Sequence, residues 1–166
     1  GSIEAAKSPA HESWANINAI DDLAESIIAC NSHLTVSAMA GNAGAGGVFL
    51  ALAADRVLMR QGIVLNPHYK GMGNLYGSEY WTYLLPRRTS KEQAQRILKA
   101  RLPMGAPEAV SLGLGDSLLN GSPKEFLAQA IFQAVSLAEA DDFTDRLLEK
   151  RQRRQADEAA KPLNAY

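Results

Sequence analysis

The sequence predicts an α/β fold that has few strands and becomes helical in its second half. Three observations lead to this class. A short strand, a glycine-rich turn and an apolar helix follow one another over residues 33–55, and two more short strand segments come directly after them. After Gly77 every patterned segment is helical. Because so few strands do not make an independent sheet, we expect the chain to supply part of an α/β domain.

The first predicted element is a helix that begins at Pro9. Ser8 is a favourable N-cap, and Glu12 places an acidic side chain in the first turn. Apolar side chains recur at helical spacing until the predicted end near Asn31. This stripe consists of Trp14, Ile17, Ile20, Ala24, Ile27 and Ile28. Gly1-Ser2, ahead of the helix, is interpreted as an expression scar.

A predicted strand over His33–Ala40 and a tight glycine-rich turn over Gly41–Gly47 come next. They lead into Val48–Asp55, which is nearly all apolar and is therefore predicted to be a buried helix. Two short strands, Arg56–Met59 and Gly62–Leu65, are predicted on either side of a turn. A loop is predicted to follow them.

The second half is predicted to consist of helices. Ser78 and Ser90 are favourable N-caps, and Pro86 is expected to close the helix that Ser78 begins. The predicted helices cover 79–85, 91–101, Ala106–Leu112, Pro123–Ala140 and the start of the tail from residue 141. Pro123–Ala140 is amphipathic, and its expected buried stripe is formed by Leu127, Ile131, Val135 and Ala138.

Composition excludes several function classes. The 166 residues carry 17 basic and 18 acidic side chains, a net charge of -1, and 46% of them are hydrophobic. These values argue against intrinsic disorder and against a basic nucleic-acid-binding face. The longest apolar stretch, Val48–Ala54, is too short to cross a membrane. We therefore expect no nucleic-acid partner, no membrane partner and a cytoplasmic location.

No metal site is expected. Cys30 is the only cysteine, so the chain has no intramolecular disulfide and no cysteine-based zinc site. His11, His33 and His68 show no metal-ligand spacing. His68 stands beside Tyr69 and either lines a pocket or has a structural role.

The glycine-rich turn is the first candidate binding element. Gly41, Gly44, Gly46 and Gly47 allow backbone N–H groups to point into a cavity at a helix N-terminus, where the helix dipole favours an anion. Such a turn cradles a phosphate, holds the developing oxyanion of a thioester, or packs closely without any ligand. The spacing fits neither the dinucleotide fingerprint nor the P-loop.

The strings S-A-M-A-G and N-A-G-A-G-G-V-F-L-A-L-A-A-D resemble the signature of the crotonase (enoyl-CoA hydratase/isomerase) superfamily. D-R-V-L-M and P-E-A-V-S-L-G-L-G-D are similar to downstream motifs of the same superfamily. The resemblance implies a crotonase-like ββα spiral, truncated in its N-terminal half and followed by a helical C-terminal part. It also implies that Gly46 supplies an oxyanion-hole N–H and that Gly44, Gly46 and Gly47 contact the coenzyme A thioester.

Two positions depart from the hydratase pattern. Phe49 stands where hydratases carry their first catalytic glutamate, and His68 stands in place of the second. Ordinary hydration and double-bond isomerisation need a carboxylate acid or base at these positions. We therefore expect a different reaction.

Three longer strings resemble the crotonase-like C-terminal part of the HypX/HoxX hydrogenase-maturation proteins. They are E-S-W-A-N-I-N-A-I-D-D-L, L-N-P-H-Y-K-G-M-G-N-L-Y-G-S-E-Y-W-T-Y-L-L-P and K-P-L-N-A-Y. This family takes a formyl group from formyl-tetrahydrofolate, passes it to coenzyme A and converts formyl-CoA to carbon monoxide. The resemblance implies coenzyme A and, in an N-terminal domain absent from this chain, formyl-tetrahydrofolate as cofactors, with no metal. The implied recipient of the carbon monoxide is the nickel–iron hydrogenase maturation machinery.

The proposed catalytic pair of that family falls on Tyr69 and Glu79. Glu79 would then remove the formyl proton, while Tyr69 orients it or donates to the departing sulfur. Taken as residues alone, Glu79 is also an acid at a helix start that stabilises the dipole, and Tyr69 is also an aromatic packed on a core. The pair meets only if the intervening loop folds back, which Gly71, Gly73 and Gly77 permit.

We expect residues 3–140 to form a partial crotonase-like core and residues 141–166 to form a helical extension. The Arg151–Arg154 cluster of that extension either meets the phosphates of coenzyme A or lies on a solvated helix face. Two other functions stay open: a crotonase acting on a larger acyl-CoA, and a non-catalytic module that self-associates or binds a partner. By itself the chain is expected to be inactive.

Overall fold

The structure is a computed structural model that describes residues 3–69 and 76–166. The predicted expression scar, Gly1-Ser2, and the predicted turn glycines Gly71 and Gly73 lie outside the described residues. Within the described ranges, no helix is both long enough and apolar enough to cross a membrane.

Helices dominate the described part of the chain, and the strands among them are short. The elements in chain order are α1 (Pro9–Ala29), β1 (Val36–Met39), β2 (Ala43–Gly44), α2 (Gly46–Leu52), β3 (Arg56–Arg60), β4 (Val64–Asn66), α3 (Trp81–Arg88), α4 (Lys91–Ala100), β5 (Met104–Gly105), α5 (Ala106–Ser111), β6 (Ser117–Leu119), α6 (Pro123–Ala138) and α7 (Phe143–Ala160), followed by a 3-10 turn at Leu163–Ala165.

The strands form two three-stranded sheets, and the first four strands alternate between them along the chain. One sheet has the order β1-β3-β6 and is entirely parallel. In the other, β2 and β4 are parallel, and β5 joins β4 antiparallel. The segments β1-β2-α2 and β3-β4-α3 each give one strand to each sheet and then a helix, which is the predicted ββα spiral. The strands β2, β5 and β6, which have only two or three residues each, were not predicted.

The helix α2 lies at the centre of the core, as its apolar sequence predicts. Val48 and Phe49 are completely buried, and Leu52 is nearly so. They pack in one cluster with residues of both sheets, including Met59 and Leu65. This burial fixes the N-terminal end of α2, where the glycine-rich turn meets the helix.

The helix predicted over 79–85 starts later and ends later than expected. The structure has α3 over Trp81–Arg88, with Pro86 inside the helix rather than after it. Arg87 and Arg88 hold the last turn through ion pairs with Asp157 and Asp116, at 2.8 and 2.9 Å. These tertiary contacts outweigh the local helix-breaking preference of proline. The residue at the N-cap position is Tyr80, and Ser78 does not cap the helix.

The expected buried stripe of α6 is wrong. Leu127, Ile131, Val135 and Ala138 are all exposed in the structure. The side chains that α6 buries are Phe126 and Ala130, which pack against Leu58 of the parallel sheet. Helical periodicity identifies an apolar face, but it does not say which of two adjacent faces meets the sheet.

A buried ion pair joins α7 to the core. The ammonium group of Lys150 lies 2.6 Å from a carboxylate oxygen of Asp55 and donates to the carbonyl of His33 at 2.8 Å. The same carboxylate accepts hydrogen bonds from the backbone N–H and the hydroxyl of Thr35. Only 3% of the Lys150 side chain is exposed. The last residue of the glycine-rich signature, Asp55, thus anchors the C-terminal helix.

We predict that Lys150→Ala lowers the free energy of unfolding by about 3–5 kcal/mol, because the substitution leaves the Asp55 carboxylate without its buried cation. Urea denaturation measures the change. Arg153→Ala is the matched control, since Arg153 lies 3.9 Å from the same carboxylate but its side chain is 62% exposed. That control is expected to lose less than about 1 kcal/mol. Equal losses in the two variants would contradict the anchoring role of Lys150.

Candidate functional site

The candidate site is formed where three separate segments meet. Gly46 is the first residue of α2, Tyr69 follows the strand β4, and Glu79 lies two residues before Trp81, the first residue of α3. The side chains of Tyr69 and Glu79 are 9% and 7% exposed. The structure therefore brings together Gly46 and the Tyr69–Glu79 pair, which two separate motifs of the sequence had indicated.

Tyr69 and Glu79 form a buried hydrogen-bonded pair. The phenol group of Tyr69 donates to Oε2 of Glu79, and its oxygen also lies 3.1 Å from the carbonyl of Ser78. Burial, followed by the hydrogen bond and the negative charge of Glu79, raises the pKa of Tyr69 above its ordinary value. Tyr69 is therefore a neutral donor that holds one carboxylate oxygen of Glu79.

The carboxylate of Glu79 lies directly against Gly46. A Cβ atom placed on Gly46 would be 2.5 Å from Cδ and 2.8 Å from Oε2 of Glu79, closer than non-bonded atoms approach. Only a hydrogen fits at this position. Gly46 also begins a helix, so its N–H is among those that have no partner within the helix. The carboxylate thus fills the space beside the Cα of Gly46, at the N-terminus of α2.

Aromatic rings enclose the other side of the pair. Phe49 stacks on the ring of Tyr69 with centroids 5.4 Å apart and planes 14° apart, and it also contacts Trp81. Gly77 has a φ of 105°, and a Cβ atom there would lie 2.5 Å from the Tyr69 ring. Phe49, which stands where hydratases carry a glutamate, therefore serves as an apolar wall for the phenol.

The backbone at Glu79 differs from the prediction. Glu79 and Tyr80 have φ values of 54° and 55°, in the left-handed region, and Glu79 is outside the helix. The view of Glu79 as an acid in the first turn of a helix is therefore wrong. Its backbone N–H donates to Oδ1 of Asp21 in α1 at 2.7 Å. Sequence analysis gave Asp21 no role, because nothing local links residues 58 positions apart.

The remaining predicted residues lie around this centre. Gly44 pairs with Asn66 across the mixed sheet, and a Cβ atom at Gly44 or Gly47 would meet only ordinary contacts, at 3.9 and 3.8 Å. His68 is buried next to Tyr69, and its backbone N–H donates to the carbonyl of Asn66. Within residues 3–69 and 76–166, no three His, Cys, Asp or Glu side chains are grouped to hold a metal.

The arginine cluster of α7 contacts the core. Arg151 donates to the carbonyl of Asn31 at 2.8 Å, and Arg154 is half-buried against the hydroxyl of Tyr83. Arg151 and Arg153 are exposed, as a solvated helix face requires, whereas Arg154 is not. The guanidinium groups of Arg151 and Arg154 help to seat α7, in the same region as the Lys150 ion pair.

Comparison with known proteins places this arrangement in a family. Residues 4–164 match the family model described as enoyl-CoA hydratase/isomerase. The chain belongs to this family. The match spans both sheets and the helices from α1 to α7, so the crotonase-like fold recognised from the glycine-rich signature is confirmed.

The HypX/HoxX resemblance is confirmed as well. The chain is 59% identical to the hydrogenase maturation factor HoxX of Bradyrhizobium diazoefficiens, over 99% of its own length and 29% of that protein. It superposes on the crystal structure of Aquifex aeolicus HypX in complex with tetrahydrofolic acid, with a TM-score of 0.88 and 45% identity, over 98% of this chain and 29% of HypX. The chain thus spans less than a third of the length of these relatives.

A more distant structure shows the fold alone. A monofunctional enoyl-CoA isomerase from M. smegmatis matches 80% of this chain and 60% of its own, with a TM-score of 0.64 and 24% identity. The enoyl-CoA hydratase/isomerase fold is therefore retained in this structure at low sequence identity.

We predict that Gly46→Ala displaces the Glu79 carboxylate from Tyr69, because the added methyl group would occupy its place. The pKa of the Tyr69 phenol should then fall toward its ordinary value. Titration of ¹³Cζ-labelled tyrosine by NMR measures this, with the resonance assigned through Tyr69→Phe. The methyl group should also cost about 1–3 kcal/mol of stability.

Gly47→Ala is the matched control for this substitution. Its methyl group meets only Ala43, at an ordinary distance of 3.8 Å. It should leave the Tyr69 titration unchanged and stability within about 1 kcal/mol, with any change favouring the helix. A Gly46→Ala protein with the wild-type titration would show that Gly46 does not define the position of Glu79.

Proposed function

We propose that this chain forms the thioester-cleaving site of a HoxX-type hydrogenase maturation enzyme, which converts formyl-CoA to carbon monoxide. The observation that carries the proposal is the buried Tyr69–Glu79 pair packed against Gly46. The high identity to HoxX across nearly the whole chain supports the assignment to hydrogenase maturation.

The residues present suit a thioester rather than an enoyl substrate. Phe49 fills the position of one hydratase carboxylate with a buried ring stacked on Tyr69, so no acid or base stands there. Gly44 and Gly47 are exposed, so a substrate can approach the glycine-rich turn there. Gly46, at the start of α2, supplies the N–H that would polarise and orient the thioester carbonyl. Coenzyme A supplies the thiolate leaving group.

Glu79 would act as the base in this reaction. Its carboxylate removes the formyl proton, and the electron pair of that C–H bond stays on carbon as the carbon–sulfur bond breaks. The products are carbon monoxide and the CoA thiolate, to which Glu79 returns the proton. Tyr69, kept neutral by its surroundings, holds Oε2 so that the other oxygen of Glu79 faces the reacting carbon.

The rest of the pathway is proposed from the relatives. A HypX crystal structure contains tetrahydrofolic acid, so we propose that formyl-tetrahydrofolate donates the formyl group in the part of HoxX-type proteins outside this chain. The carbon monoxide would pass to the nickel–iron hydrogenase maturation machinery in the cytoplasm. Residues 3–140 would supply the catalytic core, and residues 141–166 would brace it.

We predict that Glu79→Gln lowers single-turnover carbon monoxide release by about 10²–10⁴-fold, because the amide keeps the shape of the side chain but does not accept the proton. Tyr69→Phe removes one hydrogen bond and should slow release only by about three- to tenfold. The assay uses formyl-CoA, a haemoglobin trap, and a full-length protein that carries this chain as its crotonase segment. Affinity for coenzyme A should stay within about twofold in both variants.

The control is Glu92→Gln, which changes an exposed acid in the first turn of α4. It should release carbon monoxide at the wild-type rate. Undiminished release by the Glu79→Gln protein would contradict the catalytic role and favour a non-catalytic module. Loss of thermal stability without loss of activity per folded molecule would assign Glu79 a structural role.

A further inference from the structure

Two consecutive residues at the candidate site have a backbone conformation that their side chains disfavour. Glu79 and Tyr80 both lie in the left-handed region, with φ near 55°. Outside glycine this conformation is uncommon, and it persists only where surrounding contacts impose it. The contacts that impose it here come from α1.

The acidic side chains of α1 bind this left-handed turn at both of its residues. Oδ1 of Asp21 accepts the backbone N–H of Glu79 at 2.7 Å, and Oε2 of Glu25 accepts the hydroxyl of Tyr80 at 3.2 Å. Asp21 and Glu25 are four residues apart, so they lie on the same side of the helix. The buried residues Ala24 and Ile28 share that side, which docks α1 on the core.

We propose that Asp21 is a positioning residue that places the Glu79 carboxylate at Tyr69 and Gly46. The Asp21 bond fixes the orientation of the Glu79 peptide, and this orientation determines where the Cα–Cβ bond points. Asp21 does not contact the proposed reacting atoms. Its effect on rate rests on the proposed function, whereas its effect on the geometry of the pair does not.

The bond to Asp21 also satisfies a donor that has no helical partner. Glu79 precedes α3, so its N–H has no acceptor within that helix. Without Asp21 this half-buried donor would turn toward water, and the turn would relax to a right-handed or extended conformation. The Glu79 carboxylate would then leave the space beside Gly46, which is free only because glycine has no side chain.

The experiment compares Asp21→Ala and Asp21→Asn in a full-length protein that carries this chain as its crotonase segment. Asparagine retains an oxygen that accepts the Glu79 N–H, whereas alanine does not. The control is Asp22→Ala, which removes the neighbouring exposed carboxylate and none of these contacts. The two readouts are the NMR titration of Tyr69 labelled with ¹³C at Cζ and single-turnover carbon monoxide release from formyl-CoA.

We expect Asp21→Ala to shift the Tyr69 titration to lower pH by more than Asp21→Asn does. Both substitutions remove the charge of Asp21, which itself raises the pKa of Tyr69, but only alanine also lets the Glu79 charge leave the phenol. Release should fall on the order of ten- to a hundredfold at unchanged affinity for coenzyme A, as for a displaced catalytic group. Asp21→Asn should restore the rate to within about threefold of wild type. Asp22→Ala should match wild type in both readouts.

A wild-type Tyr69 titration in the Asp21→Ala protein would overturn the proposal, whatever the rate. Equal impairment of the alanine and asparagine variants, together with lost affinity for coenzyme A, would overturn it too, because that pattern marks a general stabiliser of the fold. A parent protein that makes no carbon monoxide would refute the proposed function. The titration would still decide the role of Asp21.

Discussion

The site depends on the burial of one carboxylate where only a glycine leaves room. Glu79 is 7% exposed and fills the space that a side chain on Gly46 would occupy. A buried carboxylate is costly unless hydrogen bonds satisfy it. The phenol of Tyr69 supplies such a bond, and the start of α2 supplies a favourable dipole. The surrounding helices and strands hold Glu79, Tyr69 and the start of α2 in contact.

The glycine-rich signature links that site to the rest of the fold through residues on either side of Phe49. Gly46, at the start of α2, touches Glu79. The C-terminal end of the signature, at Asp55, binds the buried Lys150 of α7 and the hydroxyl of Thr35. The buried helix α2 lies between these two residues, so it connects the C-terminal helix to the candidate site. A family signature of small and apolar residues thus constrains both the candidate site and the packing of the C-terminal helix.

Local patterns predicted the strand, turn and buried helix correctly, because glycine spacing and apolar runs are properties of adjacent residues. They also selected Gly46, Tyr69 and Glu79, through resemblance to a family. Patterns failed where tertiary contacts decide the outcome. The start of α3 depends on α1 through Asp21, and the buried face of α6 depends on which side the sheet covers. Periodicity in a single sequence predicts neither the start of α3 nor the buried face of α6.

The central claim is that the site removes the formyl proton and releases carbon monoxide instead of hydrolysing the thioester. Formyl-CoA labelled with ¹³C and deuterium at the formyl carbon tests it in a full-length protein that carries this chain. Proton removal breaks the labelled C–H bond, whereas hydrolysis keeps it. The account predicts ¹³C-labelled carbon monoxide, with the deuterium transferred to water. Labelled formate that retains its deuterium would contradict it.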